Sequence, residues 1–182
     1  MAQKLVDTKH LIKFYYASMD SPVGKLVMAS DGDAIVSIHI KLNGENIQDL
    51  TSNSAGLHLP ACLESCKIQL GEYFQGSREQ FDLPLSTKGT PFQKRVWAEI
   101  QSIPFGQTIS YLELARKLGD PKVIRASGTA NGKNPIAIII PCHRVIGSNG
   151  DLVGYAGGLS NKKWLLSHES EYAGGISQLS LF

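Results

Sequence analysis

The period of the hydrophobic pattern changes near residue 88, and this change limits the folds that the chain can adopt. Up to that point, short apolar runs alternate with polar residues between turn residues, which is typical of strands. Beyond it, apolar residues recur every three or four positions, which is typical of helices. We therefore predict an N-terminal α/β domain over residues 1–86, a second domain over 87–170 and a tail over 171–182.

The N-terminal half has the pattern of a strand meander followed by a helix. Strands are predicted at 14–18, 25–29 and 34–40, a helix at 61–74 and a closing edge strand at 81–85. The helix would bury the stripe formed by Leu63, Cys66, Leu70 and Phe74. The polar stretch 43–54 is predicted to be a surface loop. None of these residues carries obvious chemistry.

Composition narrows the functional classes. The chain has 182 residues and three cysteines, too few for a disulfide framework, and this count suits a reducing compartment. It contains neither a secretory signal nor an apolar run of membrane-spanning length, so we expect a soluble protein of the cytoplasm, or of the nucleus in a eukaryote.

Charge is distributed unevenly along the chain. Residues 1–85 carry seven basic and ten acidic side chains, whereas residues 86–182 carry eleven and six. This imbalance suggests that the C-terminal half binds nucleic acid, although ordinary scatter explains it equally well.

A helix-turn-helix is predicted between residues 110 and 131. Ser110 and Glu113 form a capping box at the start of one helix, and Gly119 ends that helix. Asp120 and Pro121 then begin a second helix, whose residues 125–131 are almost all small except for one arginine. DNA could approach such a helix closely, but two packed helices without a ligand are the commoner outcome of this pattern.

The most reactive residue of the sequence is Cys142. An apolar run at 136–140 predicts a buried strand, and Pro141 would end it just before the cysteine. His143 and Arg144 follow directly, and a base or a positive charge beside a thiol favours the nucleophilic thiolate. A lone cysteine is otherwise more often a buried apolar residue.

Metal and nucleotide cofactors are not indicated. Cys142 and His143 are too close in sequence to chelate zinc as a normal pair, while Cys62 and Cys66 fall on the core face of a helix. No glycine-rich loop with phosphate-binding spacing precedes a helix.

Several of these segments together closely resemble the O6-alkylguanine-DNA alkyltransferases. The match is densest over about residues 88–170, and its segments are Pro91-Phe92-Gln93, Ile109-Ser110-Tyr111, Arg125-Ala126, Asn134-Pro135, Pro141-Cys142-His143-Arg144-Val145, Gly154-Tyr155-Ala156-Gly157-Gly158-Leu159 and Trp164-Leu165-Leu166-Ser167-His168-Glu169. The resemblance implies a ribonuclease-H-like N-terminal domain and a helical, winged helix-turn-helix-like C-terminal domain that carries the cysteine.

The resemblance also implies a direct repair reaction without a cofactor. Cys142 would attack the alkyl carbon on O6 of guanine, or on O4 of thymine, and become a stable thioether. Each molecule would therefore act once. His143 would be the base through a water, and Glu169 would hold its tautomer.

Further site residues follow from the resemblance alone. Tyr111 would hydrogen-bond a purine ring nitrogen, and Asn134 would brace the turn before the cysteine. The carbonyls of Cys142 and Val145 would accept from the exocyclic amine, and the amides of Tyr155 and Ala156 would face the guanine oxygen. Gly157 and Lys162 complete the predicted substrate pocket.

The implied partner is double-stranded DNA, bound by a monomer through the minor groove with the damaged base flipped out. Arg125 would fill the vacated stack. The other predicted DNA-binding residues are Thr90, Gln93, Tyr111, Ala126, Gly128 and Ser148.

Three alternatives use parts of the same pattern. A protein that flips the damaged base and recruits other repair factors would lack the reactive cysteine. A winged-helix regulator would need base-reading side chains on the second helix, where Ala126 and Gly128 offer none. A thiol hydrolase would share the Cys-His pair but gives no reason for the helix-turn-helix.

Overall fold

The N-terminal half is an antiparallel meander, as predicted. The computed structural model describes residues 13–41 and 58–173, so the predicted loop at 43–54 and the end of the tail lie outside the described residues. Three strands pair in the order β1-β2-β3, and they are β1 (Tyr15–Ser21), β2 (Gly24–Ser30) and β3 (Ile35–Ile40). Glycine suits the start of β2, because Gly24 has a φ of 106°.

One helix, α1 (Ala61–Phe74), contacts all three strands of this sheet. It begins directly after Pro60 and has the predicted bounds. Leu63, Cys66 and Leu70 are fully buried, while Phe74 packs partly buried against the same core. The predicted apolar stripe is therefore confirmed.

The predicted edge strand at 81–85 is wrong. Only Leu85 forms a bridge, parallel to Ile35, and no strand extends from it within the described residues. The side chain of Gln69 accepts from the amide of Asp82 and donates to its carbonyl, so it occupies groups that a strand partner would need. Pro84 has no amide hydrogen to donate.

The C-terminal half is helical, as predicted. Its helices are α2 (Pro91–Gln101), α3 (Tyr111–Lys117), α4 (Ile124–Gly132) and α5 (Leu159–Tyr172), with a 3-10 turn at Pro121–Val123 and a short parallel pair, β4 (Ile109–Ser110) and β5 (Val145–Ile146). Capping boxes start α2 and α3, and the second is the predicted pair of Ser110 and Glu113. The tight α3–α4 connection confirms the predicted helix-turn-helix.

The predicted buried strand at 136–140 is wrong, although its apolar residues are mostly buried. Only Ile136 bridges to β3, and the chain then coils, with the amide of Ile140 donating to the carbonyl of Ile136. Ile138 takes a positive φ of 72°, which a strand cannot include. Cys142 therefore follows a buried coil rather than the end of a strand.

The two halves share one hydrophobic core, which includes Leu26 of β2, Leu63 of α1, Ile100 of α2 and Leu165 of α5. No helix within residues 13–41 and 58–173 combines the length and the apolar character that a membrane span requires.

Candidate active site

Cys142 lies at the first position of a 3-10 turn, Cys142–Arg144, on the wall of a cavity of about 240 Å³. Both halves of the chain line this cavity, and its other residues are Ile38, His39, Ile40, Asn131, Gly132, Asn134, Ala137, Gly154, Tyr155, Ala156 and Gly157. Only 7% of the cysteine's surface is exposed. A ligand would therefore reach the sulfur by entering the cavity.

The side chain of Asn134 holds the coil before the cysteine. Its Nδ2 donates to the carbonyl of Ile140 at 2.7 Å, and its Oδ1 accepts from the amide of Ile136 at 3.0 Å. One side chain thus bonds both ends of the apolar run. This contact explains why the run coils and where it presents Cys142.

Behind the cysteine, the buried carboxylate of Glu169 accepts five hydrogen bonds. His143 Nε2 lies 2.7 Å from it, and Arg144 donates from Nε at 2.8 Å and from a terminal nitrogen at 3.0 Å. The hydroxyl of Tyr73 donates at 2.8 Å from α1, and the amide of Gly106 donates at 3.2 Å. Five donors satisfy an ionised carboxylate, which only accepts hydrogen bonds.

The charges of this cluster determine which nitrogen of His143 carries the proton. Burial opposes ionisation of Glu169, but its bonds and charge interactions with His143 and Arg144 prevail and hold its pKa well below the usual range. Burial lowers the pKa of His143, so its ring is neutral near pH 7. The proton must lie on Nε2, because that nitrogen faces the carboxylate. Nδ1 is then a free acceptor.

The thiol itself is protonated at rest. Burial raises the pKa of Cys142, while a hydrogen bond from the Asn134 side chain and the charge of Lys162 partly offset that rise. Lys162 is fully buried and donates to the carbonyls of Val145 at 2.7 Å and Val153 at 2.9 Å. Burial lowers the pKa of Lys162 to about 8. Neither Val145 nor Lys162 is among the described residues that line the cavity.

Three buried side-chain atoms in the described part of the chain have no hydrogen-bond partner, and all belong to residues at this site. They are His143 Nδ1, Asn131 Oδ1 and the hydroxyl of Tyr155. Buried polar groups are nearly always paired in folded proteins, so such a concentration of unpaired groups marks a place where a ligand or water binds. Asn131 was not predicted from the sequence, where it is one polar residue in a helix of small ones.

Two family models match the chain almost end to end. The model described as 6-O-methylguanine DNA methyltransferase, ribonuclease-like domain, matches residues 14–87, and the model of the DNA binding domain of the same family matches residues 91–171. The chain belongs to the 6-O-methylguanine DNA methyltransferase family. The predicted fold class, with its ribonuclease-like and DNA-binding parts, is therefore confirmed.

Curated relatives agree over nearly their full length. A methylated-DNA–protein-cysteine methyltransferase of Mycolicibacterium paratuberculosis is 41% identical, over 92% of this chain and 98% of the relative. One from Methanosarcina acetivorans is 42% identical, over 85% and 97%. Among solved structures, the Mycobacterium tuberculosis O6-methylguanine methyltransferase superposes with a TM-score of 0.77 at 40% identity, covering 93% of this chain and 99% of that one. The M. tuberculosis OGT in complex with DNA gives 0.76 at 39% identity, covering 92% and 99%.

The residues that the methyltransferase resemblance assigns to DNA binding lie in several environments. Arg125 and Ala126 are exposed on α4, and Ser148 is exposed on a loop. Gly128 faces Tyr111, because a Cβ there would lie 3.6 Å from the Tyr111 ring. The side chains of Thr90 and Gln93 bond each other's backbone amides in the capping box of α2. The hydroxyl of Thr90 and the side-chain oxygen of Gln93 therefore already accept hydrogen bonds at the start of α2.

Proposed function

We propose that Cys142 is the residue that accepts the alkyl group from O6 of guanine in DNA. As a family member, the chain is a methylated-DNA–protein-cysteine methyltransferase that acts in direct-reversal DNA repair. The bond between Sγ and the alkyl carbon forms as the bond between that carbon and O6 breaks. Guanine leaves with the electron pair and regains a proton at N1, which balances the proton lost by the thiol.

The observation that carries this proposal is the free Nδ1 of His143. It is buried and has no partner among residues 13–41 and 58–173; it belongs to the residue next to Cys142, and the opposite ring nitrogen lies 2.7 Å from Glu169. An unprotonated imidazole nitrogen held in this way is a general base. We infer that a water in the cavity relays the thiol proton to it.

Burial of the site supports a single turnover. A buried thiol resists ionisation until a base removes its proton, so the reaction couples deprotonation to attack on the bound substrate. The product is a neutral thioether, which suits an apolar wall. A thioether does not hydrolyse under cellular conditions, and each molecule is then consumed by one lesion.

The chain binds DNA, and we propose that it does so as a monomer through the minor groove. The damaged base would be flipped into the cavity, at a cost of a few kcal/mol. Arg125, which is exposed on α4, would occupy the vacated position, and the small residues beside it would allow a close backbone approach. O4-alkylthymine is a second substrate that we propose on the same chemistry.

The test is intact-protein mass spectrometry after mixing with a duplex that contains one O6-methylguanine. We expect a gain of one methyl group per chain, mapped to Cys142 and lost in Cys142→Ala. Cys66→Ala is the matched control, because burial raises the pKa of the Cys66 thiol to about 12 and that thiol should stay unmodified. Binding of the lesion without any mass gain would contradict transfer and support the alternative, a recognition protein that recruits other factors.

A further inference from the structure

Asn131 presents an unused acceptor to the cavity that contains Cys142. The residue lies in the last turn of α4, is 2% exposed and lines the cavity. Its Oδ1 has no hydrogen-bond partner among the described residues. A buried acceptor left unpaired destabilises a protein, so its retention here points to a donor that arrives with a ligand.

The orientation of the Asn131 amide follows from its neighbours. Nδ2 lies 3.4 Å from the carbonyl of Cys142, an atom that can only accept, so the NH2 group and not the oxygen must face it. The same Nδ2 donates to the hydroxyl oxygen of Tyr111 at 3.3 Å. Because the Tyr111 oxygen accepts this bond, its own proton is free to point toward another acceptor.

The Tyr111 hydroxyl keeps that proton near neutral pH. Burial raises the pKa of Tyr111, and the hydrogen bond from Asn131 only partly offsets the rise. The Tyr111 hydroxyl is therefore available as a donor, and Asn131 Oδ1 is available as an acceptor. A base with one ring acceptor and one amino group would match both.

The two carbonyls expected to receive the amino group of the base already accept protein donors. The carbonyl of Cys142 accepts from Asn131, and that of Val145 accepts from the buried ammonium of Lys162 at 2.7 Å. The carbonyl of Cys142 also accepts from the amide of Val145, whereas Asn131 Oδ1 accepts from no group in the described part of the chain. The other side-chain amide that lines the cavity, that of Asn134, already accepts from the amide of Ile136.

We propose that Asn131 is a specificity-determining residue: Oδ1 accepts a hydrogen bond from the amino group of the flipped base, and Nδ2 directs the Tyr111 hydroxyl toward that base. This inference rests on the proposed function. It favours O6-alkylguanine, which has a 2-amino group, over O4-alkylthymine, which has none. This preference depends on the 2-amino group of the base and not on the alkyl group that is transferred.

The experiment compares single-turnover rates on two duplexes that differ by one amino group, O6-methylguanine and O6-methylhypoxanthine. We expect wild type to react roughly tenfold more slowly without the amino group, because a buried acceptor then stays unpaired. In Asn131→Leu, which has a similar volume and no polar atoms, both substrates should react at nearly the same reduced rate. Gln69→Leu removes a buried amide that binds Asp82 and does not line the cavity, and it should retain the wild-type ratio between the two substrates.

The outcomes separate the two proposals. No methyl transfer from O6-methylguanine by wild type would refute the proposed function itself. Transfer by wild type at equal rates on both duplexes would overturn only the role of Asn131. This comparison uses the wild-type protein alone, so it does not depend on whether a variant folds. A ratio in Asn131→Leu as large as in wild type would also overturn it.

Discussion

Two arginine–glutamate pairs of nearly equal length provide an internal test of how burial changes an ion pair. Arg144 Nε lies 2.8 Å from Glu169 with 6% and 1% of the side chains exposed. Arg78 Nε lies 2.6 Å from Glu72 with 28% and 39% exposed. We predict that Arg144→Leu destabilises the protein far more than Arg78→Leu does.

The magnitude follows from what each variant leaves behind. Arg144→Leu removes two of the five donors to Glu169 and the bond to the carbonyl of Ile103 at 2.6 Å. Removing one partner of a buried pair costs about 3–5 kcal/mol, whereas an exposed pair contributes about 0–1 kcal/mol. For a chain of this size, the first cost lowers Tm by about 6–20 °C.

The assay is urea unfolding followed by tryptophan fluorescence, repeated at several pH values. The depressed pKa of Glu169 contributes stability that is complete above its unfolded value of 4.5 and is lost as pH falls below it. Without Arg144, that pKa would rise from its wild-type level, because burial still opposes ionisation and one of the two partners that offset it is lost; protonation would then relieve the unpaired charge. The stability gap between wild type and Arg144→Leu should therefore narrow as pH falls toward about 4.

Equal losses in the two arginine variants at neutral pH would refute this reasoning, since they would show that burial does not govern the pair. A gap that stays constant with pH would show that the cost of Arg144→Leu comes from packing, not from the charge on Glu169.

Three further predictions concern other elements. Lys162→Met should move the rate–pH profile of methyl transfer to higher pH, because the ammonium favours the Cys142 thiolate; wild type itself loses that charge above about pH 8. Thr90→Ala should lower the free energy of unfolding by about 1 kcal/mol through the lost cap of α2, measured by urea titration. Gly76→Ala should lower Tm in a thermal melt, because φ is 74° and a Cβ would lie 2.1 Å from the Tyr172 ring.

Local signals predicted most of the secondary structure. The helix at 61–74 and the capping box of Ser110 and Glu113 depend on neighbours within one or two turns, so the sequence displays them directly. In each of the two segments wrongly predicted as strands, a single side chain binds the backbone. Gln69 binds the backbone of Asp82, and Asn134 binds both ends of 136–140. An apolar run indicates burial, but it does not reveal whether a side-chain amide elsewhere in the chain will bind its backbone and prevent it from pairing as a strand.

The candidate site divides in the same way. A motif of consecutive residues, with its resemblance to a family, identified Cys142 and His143 as candidates. The contact between Tyr73 and Glu169 joins residues 96 positions apart, and no periodic pattern predicts it. From the sequence, Arg144 is a positive charge beside the cysteine, and only the fold shows that its guanidinium binds Glu169. Asn131 was missed because a lone asparagine at a helix end has many ordinary explanations.

The ribonuclease-like half contributes residues to the candidate site. Tyr73 on α1 donates to the carboxylate that orients His143, and burial raises the pKa of its hydroxyl well above the usual value, so this donor persists at any physiological pH. Strand β3 supplies Ile38, His39 and Ile40 to the lining of the cavity that contains Cys142. A DNA-binding half alone would keep Cys142 and His143. It would lack one of the five bonds to Glu169 and three of the residues that line the cavity, so His143, the general base that we propose, would be less firmly held and the thiol more exposed to water.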